Sequence, residues 1–265
     1  MRTIVIADVH GNLNLLRNAL DHAKLSKEDR VIFAGDFCDI GYDTYDVQTA
    51  LEDIGAEVLF GNHEIAHMFG HAIKPYDYKL DSILGLVEGW ITKFLTREWK
   101  LATSIKTSKE YNDILVTHAG VSDLLGEKLV CEGLTAFQIA EKINDRFFSQ
   151  IMLNHNNHLL EPRDHYLVYN EFLSPVWWRP FTRVLASDSI KGTMPFPVRQ
   201  IAGHTPREHY DNEELRHLER MGFYLIDPYQ GGRMNLPGYC MYAVVEDDEV
   251  NIIEATNSRD CNKES

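Results

Sequence analysis

The stretch Thr3-Ile4-Val5-Ile6-Ala7-Asp8-Val9-His10-Gly11 sets a run of apolar, mostly β-branched residues against a polar tip. Such a run, ended by Asp, His and Gly, reads as a buried strand that hands polar side chains to a tight loop. The same cadence recurs four times. Val31 to Ala34 is followed by Gly35-Asp36-Phe37-Cys38-Asp39, and Glu57 to Phe60 by Gly61-Asn62-His63-Glu64. Ile114 to Thr117 runs into His118-Ala119-Gly120, and Arg199 to Ala202 into Gly203-His204-Thr205-Pro206. Between the first two runs, Leu13, Leu16, Ala19, Leu20 and Ala23 stand at helical spacing within 12–25, and a shorter helical pattern covers Asp46 to Ile54. Alternating strands and helices predict parallel strands joined by crossover helices, an α/β fold whose ligands gather beyond the carboxyl ends of its strands. Five strand ends then present Asp, His and Asn at one rim.

Outward from that frame, two stretches follow another rhythm. Leu80, Ile83, Leu84, Val87, Trp90, Ile91, Phe94 and Leu95 trace one helical stripe, and Phe137, Ala140, Ile143, Phe147 and Ile151 a second. Apolar stripes of this kind serve packing, so both are expected to be core or cap helices, with a lid role open. Phe223 to Asp227, Met241 to Val245 and Val250 to Ile253 read as strands, the last two joined by the acidic turn Glu246-Asp247-Asp248-Glu249. They are expected to build a second sheet facing the first. One domain over 1–256, with helical insertions at about 71–110 and 125–175, and a flexible tail at 257–265, is the expected organisation.

Composition narrows the function. With 265 residues, 44% hydrophobic and 25% charged, the chain can bury a full core. Its formal charge of -14 repels a nucleic-acid backbone or an anionic membrane, and there is no Lys/Arg cluster to reverse the field, so neither partner is expected. Cys38, Cys131, Cys240 and Cys261 lack the spacing of a zinc ribbon or a disulfide framework, which suits a reducing compartment. With no apolar window long enough to span a membrane, a cytoplasmic location is expected.

Each polar tip alone is weak evidence, since Asp-x-His or Gly-His-Thr recurs by chance. Together, carboxylates Asp8 and Asp36, imidazoles His10, His118 and His204, and the Asn62 amide form a mixed nitrogen and oxygen donor set without thiolate. That set suits manganese, iron or zinc. Two divalent cations less two carboxylates and one bridging hydroxide leave a single positive charge, enough to attract phosphate in an acidic protein. A pair of ions about 3.5–4 Å apart lowers the pKa of a shared water toward neutrality and clamps an in-line displacement, so hydroxide serves as nucleophile.

The ordered blocks Asp8-x-His10, Gly35-Asp36-x-x-Asp39, Gly61-Asn62-His63-Glu64, His118 and Gly203-His204 resemble the calcineurin-like metallophosphoesterases. The resemblance implies a four-layer αββα sandwich of two mixed sheets. It also implies two divalent cations, manganese first with iron or zinc as alternatives. Asp36 would bridge them, Asp8 and His10 would hold one, and Asn62, His118 and His204 the other. His63 would protonate the leaving oxygen while Asp39 orients its ring. Thr117-His118-Ala119-Gly120-Val121, Gly203-His204-Thr205-Pro206 and Ile226-Asp227 with Gly231-Gly232 look similar to the Ser/Thr phosphoprotein phosphatase branch and its bacterial diadenosine tetraphosphatase relatives. Pro206 stands where many members carry a second His, which implies fewer protein ligands on one metal.

Ile40 departs from the branch, where an Arg follows the Asp and grips phosphate in a bidentate manner. Arg179, in Trp177-Trp178-Arg179-Pro180, and Arg207 are the candidate replacements; the bland alternative for the former is an aromatic core segment with a snorkelling cation. His67 is expected in a solvated or supporting role, and His155, His158 and His165 in a polar loop. The leading expectation is hydrolysis of phosphate monoesters, with phosphoprotein or nucleotide as substrate. Alternatives are dinucleoside polyphosphate hydrolysis, a nuclease, and an inactive binding scaffold.

Overall fold

The computed structural model describes residues 2–69, 73, 80–108, 112–155, 174–180, 194–228 and 236–256. The chain runs β1 (Thr3–Ile6), α1 (Leu13–Ala23), β2 (Arg30–Phe33), α2 (Thr44–Asp53), β3 (Glu57–Val58), α3 (Asn62–Met68) and α4 (Leu80–Leu95). It continues with β4 (Ala102–Ile105), β5 (Ile114–Thr117), α5 (Asp123–Lys128), α6 (Ala136–His155), β6 (Arg199–Pro206), α7 (Asn212–Arg220), β7 (Phe223–Asp227), β8 (Cys240–Glu246) and β9 (Glu249–Ala255).

Two mixed sheets result, ordered β3-β2-β1-β8-β9 and β4-β5-β6-β7. Strands β1, β2 and β3 are parallel, as are β5, β6 and β7, while β4, β8 and β9 pair antiparallel to their neighbours. Strand periodicity explains the layering. Ile4 and Ile6 of β1 pack with Leu15, Leu16 and Ala19 of α1. Val5 and Ala7 point the other way and join Ile114, Val116, Ile201 and Ile226 of the second sheet. Because both faces of β1 are covered, its sequence is continuously apolar rather than alternating. On the outer face of the second sheet, Leu218 of α7 packs with Ala202, Phe223 and Leu225, giving helix, sheet, sheet, helix.

The strand partners differ from the sequence expectation in one respect. The three C-terminal strands do not form the second sheet by themselves. β8 and β9 extend the first sheet through the antiparallel register Thr3↔Val245, Ile4↔Val244, Val5↔Ala243. The second sheet is built instead from β5 and β6 with β7 and β4. Hydrophobic pattern marks a strand and its buried face, but not the edge onto which it docks. β4 lies inside the stretch read as a helical insertion. The α4 and α6 stripes fold as helices, and Trp90, Ile143 and Phe147 are fully buried in the main core. The 257–265 tail lies outside the described residues.

Candidate metal centre

Four of the five polar tips lie beyond the carboxyl ends of β1, β2, β3 and β5, and the fifth, Gly203 to Pro206, lies within β6, where its register with β7 shifts between Ala202 and Pro206. Asp8 and His10 are not strand residues, because β1 ends at Ile6. Their convergence comes from backbone turns: φ is +53° at Asp8, +47° at His10, +60° at Asp36, +66° at Asp39 and +62° at His204. A side-chain-bearing residue in this left-handed region costs roughly 1 kcal/mol or more. Five such residues clustered at one rim therefore need an external brace.

The brace is Glu64, whose carboxylate accepts backbone N–H bonds from Asp36 (2.9 Å), Phe37 (2.9 Å), Cys38 (3.1 Å) and Gly61 (2.9 Å). One fully buried side chain thus ties the loop after β2 to the loop after β3. Burial and the neighbouring Asp36 raise its pKa, and the amide donors oppose that rise. The sequence signal for this role was an acidic residue at the third position of a helix starting at Asn62. Further ties run between the loops: His204 N–H donates to both oxygens of Asp8 (3.0 and 3.1 Å), and His63 N–H to Asp36 Oδ1 (3.1 Å).

Asp8, His10, Asp36, Asn62, His118 and His204 are all buried, and the structure brings them together around Asp36. Ligand atoms of His10, Asp36 and His63 lie within 4.8 Å of one another, as do those of Asp36, His118 and His204, so Asp36 is common to both groups. His118 Nε2 is 3.4 Å from Asp36 Oδ2 and 2.8 Å from Asn62 Oδ1, and His10 Nε2 is 3.7 Å from Asp36 Oδ2. Backbone carbonyls set two tautomers. His10 Nδ1–H donates to Cys38 O (3.1 Å) and His118 Nδ1–H to Ala34 O (2.8 Å), a tautomer that puts the ring lone pair a cation would take on Nε2.

The cluster fits divalent cations. His204 Nε2 is buried with no hydrogen-bond partner. Among the described residues the ion pairs of Asp8 and Asp36 are with histidines, so neither buried carboxylate has there the lysine or arginine that such charges otherwise require. Burial, with Asp227 and Asp36 beside it, pushes the Asp8 carboxyl well above its usual range. Burial also pulls His10 down to about 4, which keeps that imidazole neutral and ready to bind a cation. Gly61 and Gly203 leave the space into which the Asp36 and Asp8 carboxylates extend; a Cβ on either would collide with a carboxylate oxygen.

His63 stands at the edge of this group, Nε2 4.0 Å from Asp36 Oδ2 and Nδ1 2.7 Å from Asp39 Oδ2. Burial opposes its charge, but Asp36 and the Asp39 hydrogen bond prevail and raise it to about 9. Of the two candidate anion-binding residues, Arg179 is exposed, and after burial and His118 its charge helps hold the His204 pKa down. Arg207 is not brought to the cluster: its guanidinium donates to Leu225 O (3.2 Å) and pairs with Glu219 (3.1 Å), fastening the end of β6 to β7 and α7. Trp177, not singled out from sequence, packs edge-on to His204 at 5.8 Å with its Nε1 buried and unpartnered. His158, His165, Gly231 and Gly232 lie outside the described residues, and so does the side chain of His155.

The family profile described as calcineurin-like phosphoesterase matches residues 1–218. No curated protein matches the chain. Among solved structures, a cold-active protein tyrosine phosphatase aligns with TM-score 0.56 at 18% identity, over 95% of this chain and 78% of its own. A serine/threonine phosphatase from Saccharomyces cerevisiae, with similarity to human phosphatase PP5, aligns with TM-score 0.55 at 16% identity, over 96% and 79%. A putative diadenosine tetraphosphatase aligns with TM-score 0.50 at 18% identity, over 97% and 94%. At these identities the likeness establishes a shared fold.

Proposed function

The chain belongs to the calcineurin-like phosphoesterase family, and from that premise we propose that it hydrolyses phosphate monoesters with two divalent cations, manganese foremost. The observation that carries this reading is the sharing of Asp36 between two buried ligand groups. Asp8 and His10 would hold one cation, Asn62, His118 and His204 the other, and Asp36 both. Bound there, such a pair supplies the Lewis acidity that activates water and polarises a phosphoryl oxygen. The protein's own part is to hold and move a proton. His63 keeps its ring oriented by Nδ1–H···Asp39 and presents Nε2 to the leaving oxygen, which departs as an alkoxide unless protonated. Arg179 serves as the exposed cation that meets the phosphate at the rim. The buried, unpaired cysteines Cys38, Cys131 and Cys240 support a cytoplasmic setting, and no described helix is long and apolar enough to cross a membrane.

One observation favours a second reading, the hydrolysis of dinucleoside polyphosphates. Ile40 offers no guanidinium, while Tyr42 on the same loop and Tyr45 in the first turn of α2 have 70% and 65% of their surface exposed. Exposed aromatic rings beside a phosphate site are suited to stacking on bases. The test is a paired screen on protein purified without chelators. Manganese-dependent turnover of nitrophenyl phosphate, with phosphopeptide kcat/KM above that for diadenosine tetraphosphate, is expected. The reverse order would replace the first reading with the second, and protein that binds no metal and turns over none of the three would sink both.

A further inference from the structure

We infer that His67 is a positioning residue for the proton donor, so that the working unit is His67, Asp39 and His63 rather than a pair. The inference rests on the reading of His63 as the leaving-group acid. His67 Nε2 lies 2.9 Å from Asp39 Oδ1 and 3.0 Å from Oδ2, while His63 Nδ1 takes Oδ2 at 2.7 Å. Asp39 is completely buried. A donor bridging both oxygens, added to the His63 bond, restrains the turn of the carboxylate and so of the imidazole it holds. His63 and His67 are four residues apart on α3, hence on one face of it, which is how a single helical turn delivers two imidazoles to one carboxylate.

His67 is itself held from outside the site. Trp90 of α4 packs edge-on against its ring at 6.3 Å, is fully buried, and is fixed by an Nε1–H bond to Gln48 Oε1 at 2.8 Å. The α4 helix therefore reaches the proton donor through Trp90, His67 and Asp39. An array of this kind acts on the protonation step, not on substrate binding, and the outer partner of such a chain is worth on the order of 10-fold.

The experiment compares His67→Leu and His67→Gln with the unaltered protein, each loaded with manganese, on an alkyl phosphate and on nitrophenyl phosphate. For the leucine variant, kcat on the alkyl ester falls about 10-fold with KM unchanged, and falls clearly less on the nitrophenyl ester, whose leaving group needs no proton. His67→Gln keeps an N–H donor and restores most of the loss. Equal losses on both esters, a change confined to KM, or a lost equivalent of bound manganese would overturn the inference, the last by making His67 a ligand. If the leucine variant does not fold, His67→Asn, too short to span the gap, takes its place. Should the unaltered protein hydrolyse neither ester, the proposed function fails, and the array is judged by the downfield Nδ1–H proton resonance of His63. That signal is expected to shift or broaden in the variant; an unmoved one overturns the inference.

Discussion

The carboxylate of Glu64 accepts the backbone N–H of Asp36 at 2.9 Å and, through the same two oxygens, three further amides on the loops that carry the centre. Glu64 is fully buried and sets the backbone on which those donors sit. In Glu64→Gln the amide nitrogen must face N–H groups it cannot accept. We expect a loss on the order of 3 kcal/mol in the stability of chelator-treated protein, measured by urea denaturation, together with loss of manganese binding. Unchanged denaturation would show that the four amides are satisfied without the carboxylate.

Gly203 and Gly61 test the geometry of the centre without removing a donor. Neither has a positive φ, so Gly203→Ala or Gly61→Ala brings no backbone strain, only a methyl group against Asp8 or Asp36. Manganese affinity is expected to fall about 10-fold or more, while far-ultraviolet circular dichroism stays native. Calorimetric titration showing the parent affinity would mean the carboxylates have room to move.

Binding of cations to the folded state alone raises its stability, by about 2.7 kcal/mol at a free concentration 100 times Kd. Melting temperature should therefore climb with added manganese and drop on chelation. In His204→Ala, which deletes the orphaned Nε2, the climb should shrink and one equivalent of bound metal should disappear from elemental analysis. A melting curve indifferent to chelator would count against the centre.

The protonation state of His63 gives a pH test. Burial disfavours its charge, while Asp36 and Asp39 raise the pKa to about 9, so the acid form is fully present below that value and is lost as pH rises through it. Asp39→Asn removes one of the raising causes. The alkaline limb of kcat/KM on an alkyl phosphate should shift toward lower pH, with little shift on nitrophenyl phosphate. A limb that stays in place would separate Asp39 from the proton donor.

Much of the candidate site was legible because it is written locally. Each polar tip follows an apolar run within a few residues, and Asp8, His10, Asp36, Asn62 and His118 follow strands that end at one edge, where His204, within β6, meets them. Other contributors left no such mark. His67 stands open between a solvated and a supporting role until Asp39 is placed beside it, and Trp177 looks like ordinary core until His204 is. Arg207 looked available by its position after His204, yet Glu219 and Leu225 O engage it.

From the sequence alone came the α/β alternation, the helical stripes of α4 and α6 and the oxygen-and-nitrogen donor set, since periodicity and side-chain chemistry are properties of neighbouring residues. Folding decided which edge of β1 would receive β8, which strands would share the second sheet, and that Asp8, His10, Asp36, Asp39 and His204 would turn left-handed. Those choices depend on contacts between residues far apart in the chain, such as His204 N–H on Asp8 across 196 positions, and no local pattern encodes a partner that distant.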